Sequence, residues 1–277
     1  MTSAADGGSA WPRLIATDLD GTLLRSDGTV STRTRAALAA VQARGIPLVF
    51  VTARPPRWLD ELAELVGSHG TVLCGNGAFV YDVRARAVIS VHPLSFTDIG
   101  SIAADLRRTL PGTRFAAERA TGFAYEAQFA SGHPVPAAAA CGPIESHTDS
   151  PIGKLLARNP ALPDEEFLAR VVEIVGDRAI VAYSGAGGLA EMSAPGVTKA
   201  VALQRLTGSL GIGATGVWAF GDMPNDLPMM RWAGRSIAVA NAHPDVLAVA
   251  SHTCAGNDED GVAEVLERLV RDMDRPG

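Results

Sequence analysis

Cysteine is scarce in this sequence, and the few thiols are not spaced as metal or disulfide pairs. The 277 residues include three cysteines, Cys74, Cys141 and Cys254, and no Cys-x-x-Cys pair. An odd number without that spacing argues against a disulfide framework and against a structural zinc site. We therefore expect a reducing, cytoplasmic environment, in which each thiol acts as a small buried apolar side chain.

Long apolar runs and runs of positive charge are also missing, and no secretory leader is expected. The apolar runs, such as 46–53, are too short to span a bilayer, and residues 1–12 lack a basic start followed by an apolar core. The net charge of −6 without a Lys/Arg run makes nucleic acid and anionic membranes poor partners. An anionic small-molecule substrate remains compatible with this charge, because a metal ion and nearby cationic side chains can attract it although the protein as a whole is mildly negative.

Strand and helix patterns alternate in the first and last parts of the chain. The apolar runs, the possible caps and the Gly and Pro positions predict strands at 13–17, 47–51, 71–74, 216–220 and 236–239, and helices at 31–45, 55–67, 225–233 and 261–273. Asp258 and Asp260 stand where a carboxylate can cap the last of these helices. The alternation predicts a parallel α/β sheet with right-handed crossovers.

The middle of the chain has a different pattern. Short strand-like pieces at 88–91, 123–129 and 180–183 accompany helices at 96–110 and 164–175, with dense Gly and Pro punctuation. This mixture predicts an inserted α+β domain. The predicted boundaries are 1–82 with 189–277 for the parallel-sheet domain, and 83–188 for the insertion.

Two aspartates follow the first predicted strand. Asp18 and Asp20 are separated by Leu19, and Gly21 ends the strand. Ligand sites in open α/β sheets form beyond the carboxyl ends of the strands. Two carboxylates held there repel each other unless a proton or a cation lies between them, and Mg²⁺ prefers such oxygen ligands. An ordinary strand-ending turn is the alternative.

Further polar residues stand at comparable places along the chain. Thr52 follows the strand at 47–51, where its hydroxyl can donate to a phosphate oxygen; a plain strand-end threonine is the alternative. Lys199 opens a helix, against the helix dipole, which suggests pairing with a carboxylate or phosphate, although most lysines are solvated. Asp222 can complete a metal site begun by Asp18. Asp226 can hold Lys199 or a metal-bound water, unless it or Asn225 only caps a helix.

The order of these residues along the chain resembles that of the haloacid dehalogenase superfamily, and within it the Cof-type branch of phosphatases. The sequence Asp18-Leu19-Asp20-Gly21-Thr22 is similar to the first family motif, Thr52 to the second, Lys199 to the third, and Gly221-Asp222 with Asn225-Asp226 to the fourth. The resemblance implies a Rossmann-like parallel-sheet core with helices on both faces and an α+β cap inserted between the second and third motifs. It covers nearly the whole core, whereas in the cap it rests on placement alone.

The resemblance also implies residue roles and a cofactor. Asp18 is expected to be the nucleophile and Asp20 the general acid and base. Mg²⁺ is expected to be held by the Asp18 and Asp222 carboxylates and the Asp20 backbone carbonyl. Phosphate is expected to contact Thr52, Lys199 and Asn225, and Asp226 is expected to orient Lys199 or a metal-bound water.

Two departures from the family pattern concern the backbone. Ala53 and Ala200 stand where the family usually has glycine. Alanine is small enough to be tolerated, but a positive φ at Ala53 would strain or shift the loop.

The expected substrate is a small phosphorylated metabolite, such as a sugar phosphate. Arg54 and Asn76 are the expected substrate contacts. Arg119, Tyr125 and Glu126 are further candidates in the cap that are at least as well explained as structural residues. A phosphotransferase acting on a sugar acceptor and a catalytically silent phosphate-binding module on the same fold are the alternatives. The sequence does not specify an oligomeric state.

Overall fold

The computed structural model describes residues 11–59, 71–182 and 187–275. Its strands are β1 (Leu14–Thr17), β2 (Leu48–Val51), β3 (Thr71–Cys74), β4 (Phe79–Asp82), β5 (Ala87–Val91), β6 (Arg114–Arg119), β7 (Gly122–Tyr125), β8 (Ala140–Cys141), β9 (Ile152–Arg158), β10 (Ile180–Ala182), β11 (Ala190–Ser193), β12 (Val217–Gly221), β13 (Arg235–Val239) and β14 (His252–Cys254). Its helices are α1 (Thr32–Ala43), α2 (Phe96–Thr109), α3 (Asp164–Val175), α4 (Lys199–Ser209), α5 (Leu227–Trp232), α6 (Pro244–Val249) and α7 (Gly261–Met273).

The chain divides into two compact units. The first consists of Met1–Thr52, Leu62–Val72 and Lys199–Gly277, and the second of Ala53–Glu61 and Leu73–Thr198. The predicted division at 1–82, 83–188 and 189–277 assigned a cap role to the inserted segment, and that assignment stays a prediction.

The first unit is built on a parallel sheet. Its strand order is β14-β13-β12-β1-β2, followed by the first two residues of β3. The central strand β1 pairs in parallel with both β12 and β2. Every residue of β1 and β2 is buried, as expected for strands covered on both faces by helices. Within this unit α1 packs against α7 and α4 against α5, which confirms the predicted α/β core.

The second unit is an α+β structure, as its sequence pattern predicted. It contains the antiparallel pair β4–β5 and a six-stranded sheet in the order β10-β11-β9-β6-β7-β8. The apolar core lies where this sheet packs against α2 and α3; its largest members include Ile102, Leu106, Phe115, Leu155, Phe167 and Val171.

Several local predictions need correction. The strand predicted at 123–129 ends at Tyr125, because Gln128 has a φ of 69° and Phe129 N–H donates back to the Glu126 carbonyl in a turn. The helix predicted at 225–233 is a 3₁₀ turn, Pro224–Asp226, followed by α5. The helix predicted at 55–67 begins as the 3₁₀ turn Pro56–Trp58, and its part from 60 onward lies outside the described residues.

The predicted capping of α7 by carboxylates is wrong. Asp260 occupies the N-cap position with a φ of 60° and forms no capping bond. Its carboxylate instead pairs with Arg25 at 2.9 Å, while Asp258 accepts from the backbone N–H and the hydroxyl of Ser26 at 2.9 and 2.7 Å. These acids therefore tie the start of α7 to the loop after β1.

The predicted burial of all three cysteines is only partly right. Cys74 is buried, Cys254 is half-buried and Cys141 is exposed, because Cys141 ends the short edge strand β8. All three are free thiols in the structure. Among the described residues, no helix has the length and apolar character needed to cross a membrane.

Candidate active site

Asp18 and Asp222 lie side by side because their strands are neighbours. Thr17, the last residue of β1, is in register with Phe220 of β12, and Asp18 N–H donates to the Phe220 carbonyl at 3.1 Å. Each strand is followed by its aspartate at the carboxyl edge of the sheet. Both side chains are buried, with exposed fractions of 4% and 6%. The predicted convergence of strand-end acids is present in the structure.

Lys199 joins two carboxylates from distant parts of the chain. Its Nζ donates to Asp18 Oδ1 and to Asp226 Oδ1, each at 2.6 Å, and the side chain is 2% exposed. The ammonium at the start of α4 is therefore paired with carboxylates, one of the two partners expected from the sequence. The second oxygen of Asp226 accepts from the backbone N–H groups of Asp222 and Met223, both at 3.1 Å, so this carboxylate also shapes the turn after β12.

The turn after β1 reaches Asp222 through two residues, Thr22 and Gly21, for which the sequence predicted no contact within the site. Thr22 Oγ1 donates to Asp222 Oδ1 at 2.7 Å. Gly21 has a φ of 78°, and a Cβ at this position would lie 2.4 Å from Asp222 Oδ2. Glycine is therefore required both by the backbone conformation and by the close approach of the carboxylate. The Asp-x-Asp-Gly-Thr sequence contained both residues, but nothing in it showed that their partner is Asp222.

Burial and charge shift the pKa values of this cluster in opposite directions. Burial raises the pKa of Asp18 well above its ordinary value, and the positive charge of Lys199 offsets only part of that effect. Burial raises the pKa of Asp222 to about 6. The negative charge of Asp226 adds to this rise, whereas the hydrogen bond from Thr22 lowers the pKa. Burial alone would lower the pKa of Lys199, but the negative charges of Asp18 and Asp226 together have a larger effect, and the lysine pKa is raised. The cluster thus contains three buried carboxyl groups and one buried ammonium.

The donor set fits a hard divalent cation. Carboxylate oxygens of Asp18, Asp222 and Asp226 lie within 4.8 Å of one another, and all three residues are buried. Oxygen donors of this type are the ligands that Mg²⁺ prefers. Both oxygens of Asp226 already accept hydrogen bonds, from Lys199 and from the two N–H groups of its turn. Asp18 and Asp222 are therefore the better placed metal ligands of the three.

The other predicted residues of this unit differ in exposure. Thr52 directly follows β2, the other neighbour of β1, and is fully buried. Asp20 is exposed and forms an isolated bridge with Leu24, so its carboxyl group does not belong to the buried carboxylate cluster. Asn225 is half-buried in the 3₁₀ turn that ends at Asp226. The roles of Asp20 in proton transfer and of Thr52 and Asn225 in phosphate binding stay predictions.

Arg54 and Asn76 lie in the second unit, and their contact with a substrate stays a prediction. Asn76 is buried in the left-handed region, with a φ of 58°, and its Nδ2 donates to Glu191 Oε2 at 3.4 Å. The Arg54 carbonyl accepts from Gly75 N–H at 2.8 Å. Ala53 does not have a positive φ, so the strain considered for this position does not arise. Ala200 is buried in the first turn of α4.

The three further cap candidates have structural partners within the second unit. Arg119 donates to Asp149 at 2.7 Å, and the rings of Tyr125 and Phe123 stack with centroids 6.0 Å apart. Glu126 accepts from Arg107 and from the backbone N–H groups of Phe115 and Ile144. These contacts favour the structural explanation most clearly for Glu126.

A family model for haloacid dehalogenase-like hydrolases matches residues 15–266. The chain belongs to this hydrolase family. YxeH of Bacillus subtilis (strain 168) is 30% identical over 267 residues, covering 93% of this chain and 98% of the relative. A 5-amino-6-(5-phospho-D-ribitylamino)uracil phosphatase, YcsE, of the same organism is 28% identical over 259 residues, covering 93% and 96%.

The solved structures agree with this assignment at the level of the fold. BT1666 from Bacteroides thetaiotaomicron, described among phosphatases of the haloacid dehalogenase superfamily, has a TM-score of 0.81 at 24% identity, over 97% of this chain and 99% of that chain. The resemblance inferred from the Asp-x-Asp, Thr, Lys and Gly-Asp motifs is therefore confirmed, as is the prediction of an enzyme of the Cof-type branch.

Proposed function

We propose that this haloacid dehalogenase-like hydrolase is a Mg²⁺-dependent phosphatase that hydrolyses a small phosphate monoester through an aspartyl-phosphate on Asp18. The observation that carries the proposal is the buried contact of Lys199 with both Asp18 and Asp226, beside Asp222. This arrangement holds a carboxylate in one orientation and keeps a cation beside it. The phosphatase YcsE, which the chain resembles over most of its length, supports the same reaction class.

The protein's own residues account for both steps of the reaction. Asp18 attacks phosphorus, so that one of its carboxylate oxygens forms the new P–O bond while the ester P–O bond breaks. Asp20 gives its proton to the departing alkoxide and then removes a proton from the water that attacks the aspartyl-phosphate. The second step releases inorganic phosphate and restores Asp18. The exposed position of Asp20 supports this exchange of protons with a leaving alcohol and with water.

Phosphate binding depends on positive charge and donors at fixed places. Lys199 neutralises part of the phosphoryl charge, and Thr52 and Asn225 donate to its oxygens, where preorganised donors have the largest effect. Mg²⁺, held by the Asp18 and Asp222 carboxylates and the Asp20 carbonyl, would offset the repulsion between Asp18 and the phosphate dianion. The three free thiols support the predicted reducing, cytoplasmic location.

A phosphate-release assay tests the proposed function. Purified protein is incubated with an aryl phosphate and with a panel of sugar phosphates and other small phosphate monoesters, in Mg²⁺ and in EDTA, while inorganic phosphate and phosphorylated acceptors are measured separately. The proposal predicts Mg²⁺-dependent release of inorganic phosphate. Phosphate that appears on an added sugar acceptor would indicate a phosphotransferase. Binding of phosphate by folded, Mg²⁺-loaded protein without turnover of any panel member would indicate a silent binding module.

A further inference from the structure

The second unit contains a buried lysine that the proposed mechanism does not use. Lys154 lies in β9 and is 2% exposed. Its Nζ donates to Glu191 Oε2 at 2.8 Å and to the Ala53 carbonyl at 2.9 Å. Glu191, in the neighbouring strand β11, is also buried. One ammonium therefore ties a strand of the six-stranded sheet to the backbone of a loop far away in the sequence.

The hydrogen bonds around this ammonium extend to the segments that follow two strands, β2 and β3. Ala53 is joined by a peptide bond to Thr52, the predicted phosphate-binding residue after β2. Glu191 Oε2 also accepts from Asn76, which lies in the turn after β3. The two segments are bonded directly as well, because Gly75 N–H donates to the Arg54 carbonyl at 2.8 Å. Lys154 and Glu191 are thus the charged centre of a network that fixes both loops.

A second ion pair holds the same loop from the same sheet. Arg57 donates to both oxygens of Glu118, with the shortest contact at 2.8 Å, and Glu118 is the register partner of Lys154 across β6 and β9. The guanidinium carbon of Arg57 lies 4.7 Å from the Trp58 ring centroid and 4.6 Å from that of Phe123. The segment from Ala53 to Trp58 is therefore anchored to the sheet at two places by cation–carboxylate pairs.

Folding alone does not require a buried Lys154–Glu191 pair. Removing two charges from water is costly, and well-packed apolar side chains often replace such a pair with no loss of stability. An apolar cluster of Ala116, Phe123, Phe129 and Leu156 already lies beside this pair, because Leu156 of β9 is in register with Glu191 of β11. What apolar residues cannot replace is the hydrogen bond to the Ala53 carbonyl.

We propose that Lys154, held by Glu191, is a positioning residue that fixes the backbone at Ala53 and thereby the orientation of Thr52. The inference rests on the proposed phosphatase function, since Thr52 is the group that it places against the phosphoryl oxygens. Lys154 acts through Thr52 on the phosphoryl group, which all substrates share, so its effect is the same whatever the leaving group. Misplacing a binding group by about 1 Å can lower the rate by about 10²-fold.

The test uses the double variant Lys154→Met/Glu191→Leu, which removes the ammonium without leaving a buried unpaired charge. We expect kcat to fall by about 10-fold to 10²-fold, by the same factor for an aryl phosphate and for a sugar phosphate, with an unchanged or higher melting temperature. Hydrogen exchange of the peptide covering residues 50–55 should become about 10-fold faster, since one of the two anchors of this segment is lost.

The matched control is Arg178→Met/Asp105→Leu. Arg178 is also a cation in the second unit that donates to a carboxylate, at 2.8 Å from Asp105, and to backbone carbonyls. Its loss should leave kcat and exchange at 50–55 unchanged.

Three results would overturn the proposal: wild-type kcat in the Lys154 double variant, a loss confined to one leaving group, or unchanged exchange at 50–55. A wild-type protein that turns over no phosphate ester refutes the proposed function instead, and the exchange experiment still decides whether Lys154 holds the loop.

Discussion

At the scale of single residues, Lys199 shows how one side chain can organise a site. A lysine in the first turn of a helix opposes the helix dipole. Lys199 nevertheless occupies this position in α4 and is almost completely buried. The two carboxylates that it contacts, Asp18 and Asp226, explain the placement, because each would otherwise be a buried charge without a cation. The lysine therefore stabilises the fold and orients the proposed nucleophile.

Replacing this ammonium should destabilise the protein strongly. Lys199→Met removes the cation and leaves two buried carboxylates facing each other, so we expect the free energy of unfolding to fall by about 3–5 kcal/mol. Urea unfolding at neutral pH without added metal measures the change. Arg33→Met is the control, because Arg33 pairs with Glu267 at 2.8 Å on the surface and should contribute less than about 1 kcal/mol. Equal losses in the two variants would contradict the stabilising role assigned to Lys199.

At the scale of elements, the loop after β1 has two glycines with nearly the same backbone conformation and different surroundings. Gly21 has a φ of 78° and Gly28 a φ of 79°. A Cβ on Gly21 would collide with the Asp222 carboxylate, whereas a Cβ on Gly28 would meet nothing within 4 Å. Comparing alanine substitutions at these two glycines therefore separates the effect of backbone strain from the effect of displacing Asp222.

We expect Gly21→Ala and Gly28→Ala to lose similar stability and very different activity. Each places alanine at a positive φ, which costs on the order of 1–2 kcal/mol. Only Gly21→Ala pushes Asp222 from its place, so its Mg²⁺-dependent phosphate release should fall by roughly 10²-fold, as for other misplacements of about 1 Å. Thermal unfolding and initial rates measure both effects. Equal activity in the two variants would show that the close approach to Asp222 is unimportant.

The elements predictable from the sequence are those in which periodicity, caps and burial agree. The apolar run at β3 and the amphipathic helices α3 and α7 have the predicted bounds. Strands β6, β9 and β11 were not predicted, because each contains a buried charged residue: Glu118, Lys154 and Glu191. These charges are compensated by one another and by Arg57. Such compensation depends on contacts between distant segments, which periodicity does not contain.

The same limit applies to the site. Asp18 and Asp222 were predictable because strand ends of a parallel sheet share one edge, and the contact of Lys199 with a carboxylate followed from its unfavourable place in a helix. The bond between Thr22 and Asp222 joins residues 200 positions apart, and no local pattern indicates it. Asp260 was predicted to cap a helix and instead pairs with Arg25, a residue too distant in the sequence for a local pattern to indicate the contact.

At the scale of the whole molecule, stability and metal binding are expected to be coupled. The chain has a net charge of −6, and Asp18, Asp222 and Asp226 lie buried beside one lysine. A cation that binds the folded state and not the unfolded chain stabilises the protein in proportion to the logarithm of its concentration. The proposed Mg²⁺ should therefore raise the melting temperature.

Asp222→Asn should largely abolish this dependence of stability on Mg²⁺. The raised pKa of Asp222, about 6, means that its negative charge destabilises the folded state above that pH. Asparagine removes the charge, so the metal-free variant should be more stable than the wild type at neutral pH by about 1–3 kcal/mol. Added Mg²⁺ should stabilise the wild type and have little effect on the variant. Equal stabilisation of both proteins in a thermal unfolding series would contradict the assignment of Asp222 as a metal ligand.

The measurement that tests the central claim most directly compares Asp18→Asn with the wild type in Mg²⁺-dependent phosphate release. Asparagine keeps the shape of the side chain and removes the nucleophilic charge, so turnover should be abolished while the fold, followed by circular dichroism, is retained. Asp245→Asn, at a surface carboxylate near the start of α6, is the matched control and should turn over at the wild-type rate. Activity of Asp18→Asn comparable to the wild type would contradict the account.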